Sequence, residues 1–253
     1  MKEDALVRQD EDAAFQPVLG AVLPEQDLFA FLGLETHVFI STLDGILLLQ
    51  QLLKKGAEAD IYLTGWRGRP AVAKVREPKP YRHSALDLSI RRQRTVHEAG
   101  FMSAAKSAGV RAPLVYFVDP ERAEIIMERV EGTPARDALT VKLCREMGRC
   151  AALLHAAGIV HGDLTTSNFI SAGDGDRLVL LDFGLSYYSE RTEDMAVDVR
   201  LIKEVFTSAH ISVRGAFSSF VKGYESVAGK KRTAKILENV REIEQRGRYA
   251  RVA

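Results

Sequence analysis

Two aspartates and one asparagine in this chain are spaced as phosphoryl transfer would require. Asp163 and Asn168 lie five residues apart in the segment 161–168, His-Gly-Asp-Leu-Thr-Thr-Ser-Asn, and Asp182 begins an Asp-Phe-Gly sequence nineteen residues after Asp163. Transfer of a γ-phosphoryl group needs a carboxylate beside the attacking oxygen and further oxygen ligands on Mg²⁺. We therefore expect Asp163 to orient the nucleophile or accept its proton, and Asn168 and Asp182 to bind the metal.

The combination of these two segments distinguishes a catalytic centre from an ordinary loop. Either segment alone could be a turn-rich loop in which Asp and Asn act as turn or capping residues. Their order and separation, however, follow the protein-kinase pattern of a catalytic loop and a later Asp-Phe-Gly. The apolar run 178–181 predicts a buried strand that delivers Asp182 into a cleft. His161 is expected to be a structural histidine beneath the loop, because the carboxylates already account for the chemistry.

A lysine and a glutamate upstream fit the same pattern. The segment 71–75, Ala-Val-Ala-Lys-Val, matches the kinase strand whose lysine reaches the α- and β-phosphates. The ordinary alternative is a strand lysine that extends to solvent, but the position of Lys74 upstream of the catalytic loop favours the phosphate-binding interpretation. Glu98, in a helix predicted over 88–99, is the acid expected to hold Lys74 by a charge-assisted hydrogen bond.

The predicted nucleotide site departs from the kinase pattern at its phosphate-covering loop. Residues 52–63 predict a strand, a tight turn and a second strand, but the turn has one glycine where a typical kinase has three. Backbone amides can still face phosphate there, although Glu58 is unexpected in such a place. The candidate loop residues are Gly56, Ala57, Glu58 and Ala59. The candidate adenine-binding residues of the predicted hinge are Met127, Glu128 and Val130.

The order of the predicted elements indicates an α+β, two-lobed protein-kinase-like fold. We expect an N-terminal extension of unknown role over 1–49, a small antiparallel-sheet N-lobe over 50–130, and a reduced helical C-lobe with a basic tail over 131–253. The Asp-Phe-Gly sequence is followed by no Ala-Pro-Glu, and a helix is predicted to begin near Ala196, which leaves no room for a long activation segment. The site should therefore be open and poorly suited to recognising peptide substrates.

Composition indicates a globular protein without a strong overall charge. The chain has 253 residues, of which 46% are hydrophobic and 27% charged, and a net charge of +1, so global charge does not indicate a nucleic-acid partner. Cys144 and Cys150 form no Cys-x-x-Cys pair, which argues against a metal or disulfide framework. No stretch reaches the roughly eighteen apolar residues of a membrane span, and the N-terminus lacks a signal-peptide pattern. Because two isolated thiols fit a reducing compartment, we expect a cytoplasmic protein.

Two basic segments remain open to two interpretations. Arg91, Arg92 and Arg94 lie in the predicted helix that carries Glu98, and a further basic, glycine-interrupted segment occupies 229–251. Both are ordinarily solvated helix faces. The alternative is contact with RNA or an acidic protein, since basic residues on a mobile arm suit nucleic-acid backbones.

Residues 52–251 resemble the small atypical kinase subunit of the KEOPS complex, the PRPK-like family of archaea and eukaryotes. The segment 161–168 is the most discriminating, because most kinases have Arg-Asp where this chain has Gly162-Asp163. The other marks are Lys55-Gly56-Ala57-Glu58-Ala59, Tyr81-Arg82-His83, Arg94-Thr95 with Glu98-Ala99, Asp182-Phe183-Gly184-Leu185-Ser186 and Arg246-Gly247-Arg248.

This resemblance implies a function in tRNA modification. Members of the family bind ATP and magnesium, can phosphorylate serine on themselves, and act chiefly as ATPases within KEOPS, which makes threonylcarbamoyladenosine on tRNAs that read codons beginning with A. The resemblance also implies two partners, the threonylcarbamoyl-transferase subunit and a small regulatory subunit of KEOPS, with tRNA reached through the complex. The implied site residues are those named above, with Asp163 and Lys74 as the catalytic pair.

Two other functions are compatible with parts of the sequence. Small-molecule kinases of the aminoglycoside-phosphotransferase type share His-Gly-Asp and lack Ala-Pro-Glu, but the short C-lobe offers little room for a substrate pocket. A non-catalytic scaffold is the second alternative, and the complete set of Lys74, Asp163, Asn168 and Asp182 argues against it.

Overall fold

The computed structural model describes residues 38–43, 46–173 and 177–249, with side chains described for 51–173 and 177–246. The strands are β1 Val38–Leu43, β2 Ile46–Lys54, β3 Asp60–Trp66, β4 Arg69–Val75, β5 Val115–Asp119, β6 Glu124–Glu128, β7 Thr133–Pro134, β8 Ile159–Val160, β9 Phe169–Ala172, β10 Arg177–Leu180 and β11 Tyr187–Tyr188. The helices are α1 Ser84–Ser107, α2 Val141–Ala156, α3 Thr192–Ser208 and α4 Ala216–Tyr249. The last of these is kinked at Gly229, where the backbone is not helical.

A six-stranded antiparallel sheet forms the N-terminal lobe, in the order β1-β2-β3-β4-β6-β5. Successive side chains along each strand point to opposite faces of the sheet. Ala71, Ala73 and Ile126 are buried on one face, whereas Ile125 and Met127 join the main core. Lys74 pairs in register with Ile125, so the alternation of β4 turns the Lys74 side chain to the face that meets α1.

The sheet extends further toward the N-terminus than the predicted lobe boundary. Strand β1 pairs with β2 from Val38↔Gln51 to Leu43↔Ile46, so the boundary predicted between residues 49 and 50 falls inside β2. The physical reason is that an antiparallel hairpin requires both of its strands, and the apolar residues near 38–40 and 46–49 belong to such a pair. The rest of the predicted extension, residues 1–37, lies outside the described residues.

Helix α2 is the centre of the C-terminal lobe and packs closely on α4. Its N-cap is Thr140, whose Oγ1 accepts a hydrogen bond from the Leu143 amide at 3.2 Å, as an N-capping threonine does. Two glycines permit the close approach to α4. A Cβ atom at Gly148 would lie 2.0 Å from the Phe220 carbonyl oxygen, and one at Gly223 would lie 1.9 Å from the Arg145 carbonyl oxygen. Alanine at either position would push these helices apart.

The segment after Asp-Phe-Gly is short, in line with the sequence expectation. Helix α3 begins at Thr192, eight residues after Gly184 and four residues earlier than the helix start predicted near Ala196. Glu193 and Asp194 in its first turn explain the earlier start, because acidic side chains stabilise the positive end of a helix. No helix in the part of the chain that the structure describes is long and apolar enough to cross a membrane.

The two cysteines are free thiols in the C-terminal lobe. Burial raises the pKa of Cys144 to about 11 and that of Cys150 to about 12. Both thiols are therefore protonated near neutral pH, and neither is suited to nucleophilic chemistry.

Candidate active site

Four charged side chains meet where the N-terminal sheet, α1 and the Asp-Phe-Gly segment come together. Lys74 Nζ lies 2.7 Å from Glu98 Oε1 and 2.9 Å from Asp182 Oδ1. Arg76 Nη2 lies 2.7 Å from Glu98 Oε2. Two cations and two carboxylates thus form a neutral cluster that joins β4, α1 and the strand leading to Asp182. The structure brings together Lys74, Glu98 and Asp182, which lie as many as 108 residues apart in sequence.

Glu98 is completely buried and each of its carboxylate oxygens has a cation. Burial lowers the pKa of the Lys74 ammonium, but the negative charges of Glu98 and Asp182 and the hydrogen bonds to them outweigh burial and raise that pKa above its ordinary value. Lys74 therefore carries its charge at any physiological pH. A fixed charge of this kind suits the binding of phosphate oxygens.

Arg76 is a member of this cluster that the sequence did not reveal. Only 3% of it is exposed, and its Nη2 would lie 3.2 Å from a Cβ atom built at Gly184. The glycine of Asp-Phe-Gly thus leaves room for the guanidinium beside Asp182. The spacing Lys74-x-Arg76 was the available signal, because alternate residues of a strand share a face.

Asp182 has a left-handed backbone conformation, with φ of 56°, which is uncommon for a residue with a side chain. Burial raises the pKa of its carboxyl group, but the adjacent Lys74 charge and hydrogen bonds from Lys74 and the Gly184 amide hold the pKa below its ordinary value. The side chain is half exposed. Asp182 is therefore an ionised carboxylate at the edge of the cleft, able to bind a cation.

The catalytic-loop residues Asp163 and Asn168 are in direct contact. Asn168 Nδ2 donates to the Asp163 carboxylate at 2.9 Å and to the Asp163 carbonyl at 2.8 Å. A short 3-10 turn over Thr166–Asn168 carries Asn168 back toward Asp163 and explains the five-residue spacing. Because the amide nitrogen faces Asp163, the amide oxygen is turned away from it and is available to a ligand.

His161 connects the two halves of the site from beneath. Its Nδ1 accepts a hydrogen bond from the Asp163 amide at 3.3 Å, and its Nε2 lies 3.1 Å from the Leu181 carbonyl oxygen, which requires a proton on Nε2. The ring is completely buried and lies edge-on to Phe183 at 5.1 Å. This geometry matches the structural role expected for His161.

Asp198, in α3, holds the backbone of the catalytic loop, and the sequence analysis missed it. Its two carboxylate oxygens accept hydrogen bonds from the His161 amide at 2.7 Å and the Gly162 amide at 2.9 Å. His155 Nε2 lies 3.2 Å from the same carboxylate. The signal in the sequence was an acid between apolar neighbours in Ala196-Val197-Asp198-Val199, which a buried helix face would not ordinarily contain.

Replacing Asp198 by asparagine is expected to destabilise the protein by about 2–3 kcal/mol, because an amide group would turn a donor toward donors and leave one unsatisfied in the core. ATP turnover should fall as well, since the loop that carries Asp163 loses an anchor. Denaturant unfolding of Asp198→Asn beside Asp137→Asn, which changes an exposed aspartate, measures the difference. A loss below about 0.5 kcal/mol would contradict the anchoring role.

The predicted phosphate-covering loop is tied to α1, and to the segment that precedes α1, by charged side chains. Arg94 Nη1 lies 2.7 Å from Glu58 Oε2, and Lys79 Nζ donates to the Ala57 carbonyl at 2.7 Å. Gly56 is required by the turn itself, because a Cβ atom there would lie 2.3 Å from the Ala59 carbonyl oxygen. The unexpected Glu58 thus has a partner on α1, and the loop is restrained by these contacts in place of the usual glycines.

The hinge positions differ in what their side chains contact. Met127 is buried in the main core, whereas Val130 is half-buried. Glu128 exchanges two bonds with Leu114, through its amide to the Leu114 carbonyl at 2.8 Å and through its carboxylate to the Leu114 amide at 3.0 Å. Contact with adenine at these positions remains a proposal, and it would be made by backbone groups.

The helical arginines proposed as possible RNA contacts have partners within the chain. Arg91 pairs with Asp87 at 2.7 Å, Arg94 pairs with Glu58, and Arg92 pairs with Glu121. In the basic tail, Arg246 pairs with Glu193 at 2.9 Å, while residues 250–253 lie outside the described residues. These pairs favour the structural interpretation of the α1 arginines.

The oxygen donors of the candidate site fit Mg²⁺, which completes its shell with phosphate and water oxygens, better than they fit a metal ion that is held by protein ligands alone. Within the described ranges, no cluster of three or more His, Cys, Asp or Glu side chains could hold a metal ion. A single carboxylate, Asp182, and the Asn168 amide oxygen are a donor set that Mg²⁺ accepts when phosphate oxygens and waters complete its shell. The donor set therefore suits Mg²⁺ bound together with a nucleotide.

Comparison with known proteins is consistent with this site. Residues 71–217 match the RIO domain family. The chain is 45% identical over 207 residues, 81% of its length, to the probable bifunctional tRNA threonylcarbamoyladenosine biosynthesis protein of Methanothermobacter thermautotrophicus, and spans 38% of that relative. It is 39% identical to the KEOPS complex subunit Bud32 of Pyrococcus abyssi, with 79% of this chain and 96% of that subunit covered.

A mammalian relative and a solved structure extend these similarities. The EKC/KEOPS complex subunit Tp53rkb of Mus musculus is 37% identical and is covered over 86% of its length. The Rio2 kinase of Chaetomium thermophilum, solved as an ADP/Mg²⁺-phosphoaspartate complex, superimposes with a TM-score of 0.54 at 17% identity, covering 91% of this chain and 88% of that one. This superposition confirms the predicted α+β, two-lobed kinase-like fold.

Proposed function

We propose, from the premise that this chain belongs to the RIO domain family and to the family of Bud32 subunits of the KEOPS complex, that it is a Mg²⁺-dependent ATPase and atypical serine/threonine kinase. Its biological role would be to support the threonylcarbamoyladenosine modification of tRNA. The family membership confirms the resemblance seen in the sequence, and the kinase-like fold supports nucleotide binding.

The observation that carries the proposal is the convergence of Lys74 and Asp182 at 2.9 Å beside Glu98. Lys74 would bind the phosphates of ATP, and Asp182 with Asn168 would hold Mg²⁺, which would supply charge neutralisation along the phosphates. Asp163 would orient or deprotonate the attacking hydroxyl or water. The loop residues Gly56 to Ala59 would cover the phosphates, and the hinge from Met127 to Val130 would hold adenine.

The short segment after Asp182 supports ATP hydrolysis more than peptide phosphorylation. Only seven residues separate Gly184 from α3. The chain therefore lacks, at this place, the long segment that forms the peptide-binding surface of protein kinases. Phosphoryl transfer to water needs no such surface. Transfer to serine on the protein itself remains compatible with an open cleft.

The relatives support partners as well as an activity. The Pyrococcus abyssi and Mus musculus relatives are named as subunits of a KEOPS complex. Among the bifunctional relatives, the chain matches about 38% of one protein, which supports a partner that carries the remaining part of that function. We propose the threonylcarbamoyl-transferase subunit and a small regulatory subunit as partners, with tRNA bound through the complex in the cytoplasm.

ATP hydrolysis by the purified protein tests this function directly. We expect slow Mg²⁺-dependent turnover by the protein alone and a rise of at least tenfold when the transferase subunit and tRNA are added. Asp182→Asn should remove the Mg²⁺-dependent turnover, because the neutral amide is a weaker ligand and no longer pairs with Lys74. Asp137→Asn, which changes an exposed aspartate, is the matched control and should behave as the unmodified protein.

The same assay separates the competing functions. Partner-independent transfer of labelled phosphate to serine would identify a protein kinase. Phosphorylation of a small hydroxylated metabolite would identify a small-molecule phosphotransferase. Tight binding to the partners together with an undetectable affinity for ATP would identify a scaffold and would refute the enzymatic proposal.

A further inference from the structure

A second charged region lies behind the hinge, apart from the candidate active site. It is an open groove of about 860 Å³ between the two lobes. Its walls come from the start of β4, the connection from α1 to β5, the hinge, and the ends of β9 and β10. Lys74, Glu98, Asp163, Asn168 and Asp182 do not line it. Its cationic residues are Arg69, Lys106, Arg111, Arg129 and Arg177.

The four arginines of this groove have no ion-pair partner among the side chains that the structure describes, whereas most arginines described elsewhere on the surface do have one. Arg200 pairs with Glu204 at 3.2 Å and Arg149 with Glu146 at 3.4 Å, and the α1 arginines also have carboxylate partners. In the groove, by contrast, no arginine forms an ion pair with any residue for which the structure describes a side chain. An exposed guanidinium group commonly pairs with a nearby carboxylate. Four arginine side chains that line one groove without such partners therefore form a site of unbalanced positive charge.

The acids of the groove do not neutralise these cations. Glu128 already accepts a hydrogen bond from the Leu114 amide, and Glu131 is the other acid in the lining. Among the lining residues that the structure describes, five cations against two carboxylates leave an excess of three positive charges, whereas the overall net charge of the chain is only +1. The groove is therefore a local concentration of positive charge on a nearly neutral protein.

We propose that this groove binds the phosphodiester backbone of RNA. Four of the five cations are arginines, whose planar guanidinium groups bind phosphate oxygens in pairs. Tyr116, half-buried in the same lining, offers a ring on which an unpaired base can stack. An open groove suits an extended polymer, whereas a free phosphate or a small anion would fit an enclosed pocket. The choice of RNA as the natural polyanion also rests on the proposed role in tRNA modification.

The position of the groove gives RNA a route to influence ATP turnover. Glu128 and Val130 belong both to the groove wall and to the proposed adenine-binding hinge. RNA lying against one side of the hinge would contact the same backbone that holds adenine on the other side. Occupancy of the groove should therefore change the KM for ATP more than it changes the chemical step.

A salt titration of RNA binding tests the site. The probe is a fluorescein-labelled tRNA transcript, and the protein variant is Arg111→Gln/Arg177→Gln. We expect its affinity to fall by at least tenfold, and the slope of log K against log salt to decrease by about 1.4–1.8, since each phosphate contact contributes about 0.7–0.9. The matched control is Arg149→Gln/Arg200→Gln, which removes the same total charge from two surface positions outside the groove.

The outcomes separate this proposal from its competitors and from the proposed ATPase function. Equal losses in both double variants would overturn the groove and indicate binding by overall charge. Polyglutamate, added at the same concentration of charge as the RNA, is the competitor. If it displaces the RNA and binds with equal affinity, the proposal of RNA would be overturned in favour of an acidic protein. Asp163→Asn, which tests ATP turnover, should bind the tRNA probe as the unmodified protein does. The RNA-binding result can therefore be interpreted even if the ATPase proposal fails. Thermal unfolding of each variant confirms that it is folded.

Discussion

ATP turnover is expected to fall by about a thousandfold when Asp163 is replaced by asparagine, while the protein remains folded. General acid–base contributions are worth about 10²–10⁴ in rate, and the amide cannot accept a proton from the attacking hydroxyl or water. The variant should keep its structure because an asparagine oxygen can still accept the hydrogen bond that Asn168 Nδ2 gives to the Asp163 carboxylate at 2.9 Å. The measurement is steady-state hydrolysis with the KEOPS partners and tRNA present.

The binding of ATP separates a chemical role from a positional one. We expect Asp163→Asn to retain its affinity for ATP within about threefold, because Lys74, Asn168 and Asp182 are unchanged. Asp137→Asn, an exposed aspartate that pairs with Arg136, is the control for loss of a surface charge. Full ATP turnover by Asp163→Asn would remove this residue from the mechanism and favour the scaffold.

Replacing Glu98 by alanine is expected to lower the free energy of unfolding by about 3–5 kcal/mol, which is the usual cost of leaving buried charges without a partner. Glu98 is completely buried, while the side chains of Lys74 and Arg76 are only 9% and 4% exposed. Lys74 would keep Asp182 as a partner, but Arg76 would lose the carboxylate it pairs with at 2.7 Å. ATP turnover should fall too, because Lys74 loses the group that positions it. Denaturant unfolding and ATP hydrolysis measure the two effects.

A double-variant cycle tests whether Arg76 is the source of that cost. Arg76→Met should restore part of the lost stability in the Glu98→Ala background, because it removes the stranded charge, yet should destabilise the otherwise unmodified protein. The coupling between the two positions is expected to exceed about 1 kcal/mol. Glu146→Ala, a partly exposed glutamate on α2, should cost less than about 0.5 kcal/mol. Additive effects at Glu98 and Arg76 would show that the two side chains do not act as a pair.

Local patterns predicted the parts of the site that depend on spacing along the chain. The five residues from Asp163 to Asn168 span one loop and a 3-10 turn, so their contact follows from local geometry. Lys74 lies on a strand whose alternation can be read directly, and the apolar run before Asp182 predicted the buried strand β10. Each of these features depends on neighbours fewer than about ten residues away.

Features that depend on residues far away in the sequence could not be predicted from local patterns. Glu58 was unexpected until the fold placed Arg94 beside it, 36 residues away. Arg76 and Asp198 carry no motif, since their roles come from Glu98 and from the His161 and Gly162 amides. The arginines behind the hinge come from separate elements, so no single segment is conspicuously basic there. The predicted lobe boundary near residue 49 falls inside β2, and the pairing of β1 with β2, which joins residues on both sides of that boundary, is not visible in a local pattern.

By itself, the sequence therefore determined the kinase-like fold and indicated the type of chemistry that we propose, because phosphoryl transfer requires particular oxygen donors at separations that a loop and a strand can set locally. Only the tertiary structure decided how those groups are held. It placed Glu98 between two cations, it put the catalytic loop on Asp198, and it gathered unpaired arginines behind the hinge. The physical reason is that burial and charge balance depend on which surfaces pack together, and this packing joins residues that are far apart along the chain.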